Sequence, residues 1–178
     1  MIARIRKMFS RLWGDEDGSF AMEFMLIFPV YLALLGMSLE LSLITLRHTM
    51  LERGLDIAVR DIRLGTGTAP KHDEIKATIC DQTLIIANCN KNLRLEMMPT
   101  DIRSLGGLPD GTDCTDQEEP TKPVRQFTPG QQNQLMLLRA CVKYDPLFPT
   151  WRLGRALDTD SSGQAAIVSM TAFVQEPL

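Results

Sequence analysis

Two carboxylates set against hydrocarbon and four cysteines are the residues of this chain best placed to do chemistry. Glu23 stands at the entrance to an apolar run, Phe24 to Leu46, in which Glu40 is the only charged residue. A carboxylate at the edge of a hydrocarbon layer costs up to about 2.5–3.5 kcal/mol on insertion scales, so Glu23 is expected to have a partner. The ordinary alternative is an interfacial glutamate whose side chain reaches up to lipid headgroups. Glu40 lies about 25 Å further along a helix axis, where a charge marks the outer interface and serves anchoring as well as function. Cys80, Cys89, Cys114 and Cys141 include no C-x-x-C pair, so a zinc site is not expected. Their even number fits disulfides in an oxidising compartment. Four cysteines allow three pairings. The favoured one is Cys80–Cys89, stapling a second helix to the strand after it, with Cys114–Cys141 pinning a long loop to a central strand.

Other chemistry finds little support. Asp158-x-Asp160-x-Ser162-Gly163 begins like a calcium loop, but its twelfth position is Ser169 where a bidentate glutamate belongs, so a polar turn is expected. Asp110, Asp113, Asp116, Glu118 and Glu119 read as a solvated loop. With His48 and His72 as the only histidines and no nucleophile elbow, phosphate loop or H-E-x-x-H, neither an enzyme nor a cofactor is expected.

These residues need elements to hold them. The apolar run is about 35 Å long as a helix, enough to span a bilayer. One helix is predicted from Ser19 to Leu64, with the span at 24–46, a kink at Pro29, and an amphipathic continuation at 47–64. Leu51, Leu55, Ala58 and Ile62 form its inward stripe. Gly65-Thr66-Gly67 is the expected stop. A shorter helix is expected from near Pro70, with Asp73 and Glu74 in its first turn and Ile75 and Ile79 facing inward. Alternation predicts half-buried strands at Leu93–Met97 and Leu135–Tyr144. Pro99 to Asn133 reads as irregular, with a turn at Pro109-Asp110-Gly111 and with Cys114 tying it down. A helical turn near Trp151–Leu157 and a last strand near Ala166–Glu176 complete an α+β fold. In it a small disulfide-stapled antiparallel sheet (65–178) packs on the helix.

The 178 residues carry a net charge of −3, which argues against a nucleic-acid-binding role. Positions 1–18 form a polar leader with Arg4, Arg6, Lys7 and Arg11. Basic residues ahead of an apolar helix predict a cytoplasmic N-terminus and a C-terminal domain on the other side of the membrane. A cleaved secretory signal is disfavoured, because the run exceeds the usual length of about 7–15 residues and ends on no small-x-small site.

Gly18 followed five residues later by Glu23 and then Phe24, behind a basic leader, resembles the type IV prepilin processing site, most closely that of the Tad (tight adherence) branch. Pro29, Gly36, Glu40, the arginines Arg60 and Arg63 before Gly65, and the closing Ala172-Phe173-Val174-Gln175-Glu176-Pro177 are similar to the TadE/TadF family of pilin-like proteins. The resemblance implies cleavage between Gly18 and Ser19 by a membrane-embedded prepilin peptidase. It also implies assembly with major and minor pilin subunits on an inner-membrane pilus platform, with Glu23, Phe24, Pro29 and Glu40 as assembly residues. The freed α-amine of Ser19, with a reference pKa of about 8, would be the partner of Glu23 in a neighbouring subunit. The implied role is a minor pilin or pseudopilin of a Tad/Flp-type pulus system, starting in the bacterial inner membrane with a periplasmic domain and ending at the cell surface. The rival from another class is an uncleaved single-pass anchor that presents a periplasmic binding module to an export machine.

Overall fold

Hydrophobic patterning changes character halfway along the first helix, and the architecture follows that change. The computed structural model describes residues 19–64, 71–101, 112, 114–115 and 127–176. Helix α1 runs Ser19–Leu64, 46 residues, and continues through Pro29. Up to Leu46 its apolar residues lie on every side and are largely exposed, with Phe20 at 81%. Beyond Arg47 the charges separate from a stripe, and Leu51, Leu55, Ala58 and Ile62 become buried. Two compact units divide the chain, one ending at Leu39 and the other beginning at Glu40. The second half of α1 thus belongs to the same unit as the sheet. The leader and Gly18, the Gly65–Gly67 stop, Pro70, the Pro109–Gly111 turn, the acidic cluster from Asp110 to Glu119 and the terminal Pro177 lie outside the described residues.

In the second unit, α2 (His72–Gln82) buries Ile75 and Ile79 and carries Asp73 and Glu74 in its first turn, where acidic groups suit the helix dipole. One helical turn, α3 (Cys89–Asn92), leads into β1 (Leu93–Pro99). Strand β2 (Leu135–Tyr144), the short helix α4 (Arg152–Ala156) and β3 (Ala165–Val174) follow. The three strands form an antiparallel sheet in the order β1-β2-β3, with Leu95 opposite Ala140 and Ala140 opposite Ser169. One sheet face is the core. Leu93, Leu95 and Met97 join Met136, Leu138, Ala140 and Val142 against the α1 stripe and the isoleucines of α2. The fold is α+β, with a long apolar N-terminal helix and a disulfide-bonded sheet.

The second sheet face departs from the half-buried strands expected from alternation. Arg94, Glu96, Arg139 and Lys143 all point away from the core, yet all are buried. The Cys114–Cys141 disulfide anchors Cys114 to this face, and Thr115 Oγ1 donates to the Asn92 carbonyl at 3.0 Å. Charged groups covered in this way need partners. Glu96 and Arg139 are direct cross-strand neighbours and pair at 3.4 Å, while Lys143 reaches Asp160 at 2.5 Å. The outer edge of β1 is also occupied, because the Thr128 amide donates to the Met97 carbonyl at 3.0 Å. That contact leaves fewer unpaired strand groups to invite association.

The other disulfide joins Cys80, near the end of α2, to Cys89, the start of the turn before β1. Both bridges are those favoured from the sequence. They close separations of 9 residues (Cys80–Cys89) and 27 residues (Cys114–Cys141). On the loop-closure model, replacing Cys80 and Cys89 by serine is expected to cost about 2.5 kcal/mol, and replacing Cys114 and Cys141 about 3.5 kcal/mol. Urea unfolding of the oxidised full chain in detergent measures both. A reversed order would show that denatured-state loop closure is not what the bridges mainly contribute.

Candidate functional site

Ser19 is the first residue of α1, and Glu23 follows one helical turn later, where an i, i+4 relation places two groups on one face. Glu23 is exposed, as are Phe24 and Pro29. Phe24 stacks on Phe28, their ring centroids 4.9 Å apart, so one aromatic surface continues from the carboxylate toward Pro29. This stretch is therefore a helical surface of hydrophobic groups with a single carboxylate at its start.

Glu40 behaves differently. It is only 1% exposed, and its carboxylate is held inside its own compact unit. The Leu147 amide donates to Oε1 at 3.1 Å and the Phe148 amide to Oε2 at 2.9 Å, so each oxygen takes one backbone N–H. Hydrogen bonds of this charge-assisted kind are roughly twice as strong as neutral ones. Glu40 thus fastens the segment after β2 to the middle of α1. The sequence carried part of this signal: a lone charge in an apolar run, and an Asp145-Pro146 strand stop. Nothing in the pattern said that the two would meet across 107 positions.

Around this clamp the contacts are aromatic. Immediately after the apolar run, the Arg47 guanidinium lies 4.6 Å from the centre of the Tyr144 ring. Its Nε and Nη1 are shielded from water and make no hydrogen bond among the described residues, so the ring face is the main contact for the charge. Burial raises the Tyr144 hydroxyl above its ordinary pKa; the Arg47 charge opposes that shift and the Glu40 charge adds to it. Phe148 stacks on Trp151 at 4.7 Å. Helix α4 packs so closely on this loop that a Cβ on Gly154 would overlap the Phe148 carbonyl oxygen, which restricts the position to glycine.

The Asp158–Gly163 segment is a turn built on Asp160. Its Oδ1 accepts from the Ser162 amide at 3.0 Å, the Ser162 hydroxyl at 2.6 Å and the Gln164 amide at 2.9 Å, while Oδ2 accepts from Lys143. Gly163 supplies the left-handed φ of +80° that closes the turn. Burial alone would raise the Asp160 carboxyl. The hydrogen bonds from Lys143, Ser162 and the Gln164 amide, with the Lys143 charge, outweigh it and hold the group well below the usual carboxylate range. The two histidines lie apart: His48 sits 3.5 Å from Glu52 on α1, and His72 sits 3.0 Å from Asp73 with its ring edge against Phe127.

Compared with known proteins, the chain matches no family model, no curated protein and no solved structure.

Replacing Glu40 by glutamine turns one acceptor into an amide donor that faces a backbone donor. The expected cost is about 1.5–3 kcal/mol, with faster hydrogen exchange at the Leu147 and Phe148 amides. Unchanged protection of those amides would show that packing alone holds the loop. For Asp160 the folded pKa is depressed, so its contribution is complete above the unfolded value of about 3.9 and is lost as the pH falls toward the folded value. Asp160→Asn is therefore expected to lower the urea midpoint most near neutral pH and progressively less in acid. An equal loss at every pH would assign the effect to turn geometry, not to charge.

Proposed function

We propose that the chain is a TadE/TadF-like minor pilin or pseudopilin of a Tad/Flp-type pilus system. The observation that carries this reading is the first part of α1, a long exposed apolar surface in which Glu23 and Phe24 stand five and six residues after Gly18. A helix that is apolar all round needs a non-aqueous cover, either lipid or the helices of neighbouring subunits. A pilin uses both in turn. It is held in the inner membrane with its N-terminus in the cytoplasm and its disulfide-bonded domain in the periplasm, and it then passes into a filament.

On this reading a prepilin peptidase hydrolyses the Gly18–Ser19 peptide bond and leaves a cationic α-amine at the head of the helix. That amine pairs with the Glu23 carboxylate of a neighbouring subunit, and the pair sets the axial register between apolar helices. Charge pairing is worth more in such a bundle than in water, because the local dielectric is low. Phe24 and Pro29 shape the same packing surface. The carboxylate of Glu40 is already engaged within its own chain, so its part in assembly is to keep the periplasmic unit fastened to the helix. The protein acts by assembly, not catalysis, with the peptidase, other pilins and the membrane platform as partners. Initiation of the pilus, or a place at its tip in surface adherence, suits a subunit with a domain this large on its helix.

N-terminal sequencing of the protein from cells with and without the peptidase tests this directly. A chain that starts at Ser19 only when the peptidase is present is the expected result. Glu23→Ala should then leave membrane insertion intact and abolish piliation. An intact Met1 terminus in both strains would overturn the pilin reading and leave an uncleaved anchor.

A further inference from the structure

The Glu40 clamp has a geometric consequence for the segment it holds. Glu40 lies inside the apolar run, six residues before its end at Leu46, or about 9 Å along a helix axis. The run of about 35 Å exceeds a hydrocarbon core of about 30 Å by about 5 Å, so Glu40 falls about 4–9 Å inside the outer boundary of that core. Leu147 and Phe148 are hydrogen-bonded to its carboxylate and must therefore lie at the same depth.

The loop is built for such a place. No residue from Pro146 to Trp151 is charged, and Leu147 is 51% exposed. Pro146 and Pro149 have no amide hydrogen to satisfy. Leu147 and Phe148 donate to Glu40, and the Trp151 amide donates to the Phe148 carbonyl at 3.1 Å. Three of the loop's four amides are thus satisfied within the chain, which contact with lipid favours and contact with water does not require. Trp151 stacks on Phe148, and aromatic side chains of this kind concentrate at membrane interfaces. Arg155 on α4, four residues past Trp151, supplies a cationic group next to the loop, the sign that anionic headgroups attract.

We infer that the Pro146–Trp151 loop is a second membrane contact, an interfacial foot that seats just inside the outer headgroup boundary, with phospholipid as its occupant. This inference rests on the reading of 24–46 as a membrane span. With the foot seated, the domain is held at two points of the bilayer surface. Extraction of the helix must then also lift the foot out of lipid.

Trp151 reports on the foot directly once Trp13 of the leader is replaced by phenylalanine. The full chain carrying Trp13→Phe is reconstituted into vesicles of mixed zwitterionic and anionic phospholipid brominated either near the headgroup end or near the methyl end of the acyl chains. The expected result is that Trp151 loses most of its fluorescence to the shallow bromines, little to the deep ones and little to aqueous iodide. Flotation and alkaline carbonate extraction of the same vesicles test the span itself. A chain that is not retained by the vesicles overturns both the span and the foot. A chain retained by the vesicles whose Trp151 is quenched by iodide and not by shallow bromine keeps the span and overturns the foot. It would leave the loop as a surface for a protein partner. In the Glu40→Gln variant, quenching should shift from shallow bromine toward iodide; an unchanged pattern with intact membrane retention would overturn the role of the clamp in seating the foot.

Discussion

A carboxylate buried in the middle of a hydrophobic helix has to be satisfied by its own chain, and the way Glu40 is satisfied shapes the second unit. Its two oxygens take the two backbone donors that follow β2. Leaving a carboxylate buried without such donors would cost several kcal/mol, which is enough to set the position of a loop that has few other constraints. Once Leu147 and Phe148 are placed, Phe148 carries Trp151 with it, and α4 can pack only with glycine at position 154. Tyr144, the last residue of β2, is meanwhile brought beneath the Arg47 guanidinium. The end of the central strand and the middle of α1 are thus joined by hydrogen bonds to Glu40 and by the Arg47–Tyr144 stack.

The opposite end of α1 is joined by a more exposed contact. Arg63 pairs with Glu176 at 2.9 Å, both half exposed, so this ion pair contributes little on its own. Between the two ends, the Leu51–Ile62 stripe against the sheet supplies most of the attachment through burial of apolar area. The second sheet face works by other means. Arg139 pairs with Glu96 and Lys143 with Asp160, and the Cys114–Cys141 bridge holds Cys114 on that face. A single sheet of three strands packs one face on a helix and carries the Cys114–Cys141 bridge on the other. Crosslinks of this kind add stability where a small core offers little.

The two acidic residues of the apolar helix consequently divide the work that the sequence assigned to them together. Glu23 faces outward on an exposed aromatic and aliphatic surface, available to whatever covers the helix. Glu40 is used internally, by the loop that it holds.

Much of the element order was legible in the sequence because it rests on local periodicity. The Ser19–Leu64 helix, the Leu135–Tyr144 strand and the inward Ile75 and Ile79 follow from spacing alone, since side-chain direction repeats with a fixed period in each kind of element. The exposed apolar half of α1 and the carboxylate at its entrance were equally visible, being properties of composition and order. The disulfide pairing was legible only in part, as one favoured choice among three. What tertiary structure alone decided are the meetings of residues far apart in the chain. Alternation marked Arg94, Glu96, Arg139 and Lys143 as an outer face, and only the tertiary structure shows them buried. Asp158–Gly163 was expected to be a polar turn, but that Lys143 would meet the Asp160 carboxylate was not legible. Glu40 was legible only as a mark of the outer interface, and the Leu147 and Phe148 amides carry no side-chain signature, because every residue except proline has the same backbone donor. Periodicity sets which way a side chain points; which groups lie there to meet it is settled only when the sheet, the helix and the loop close around one another.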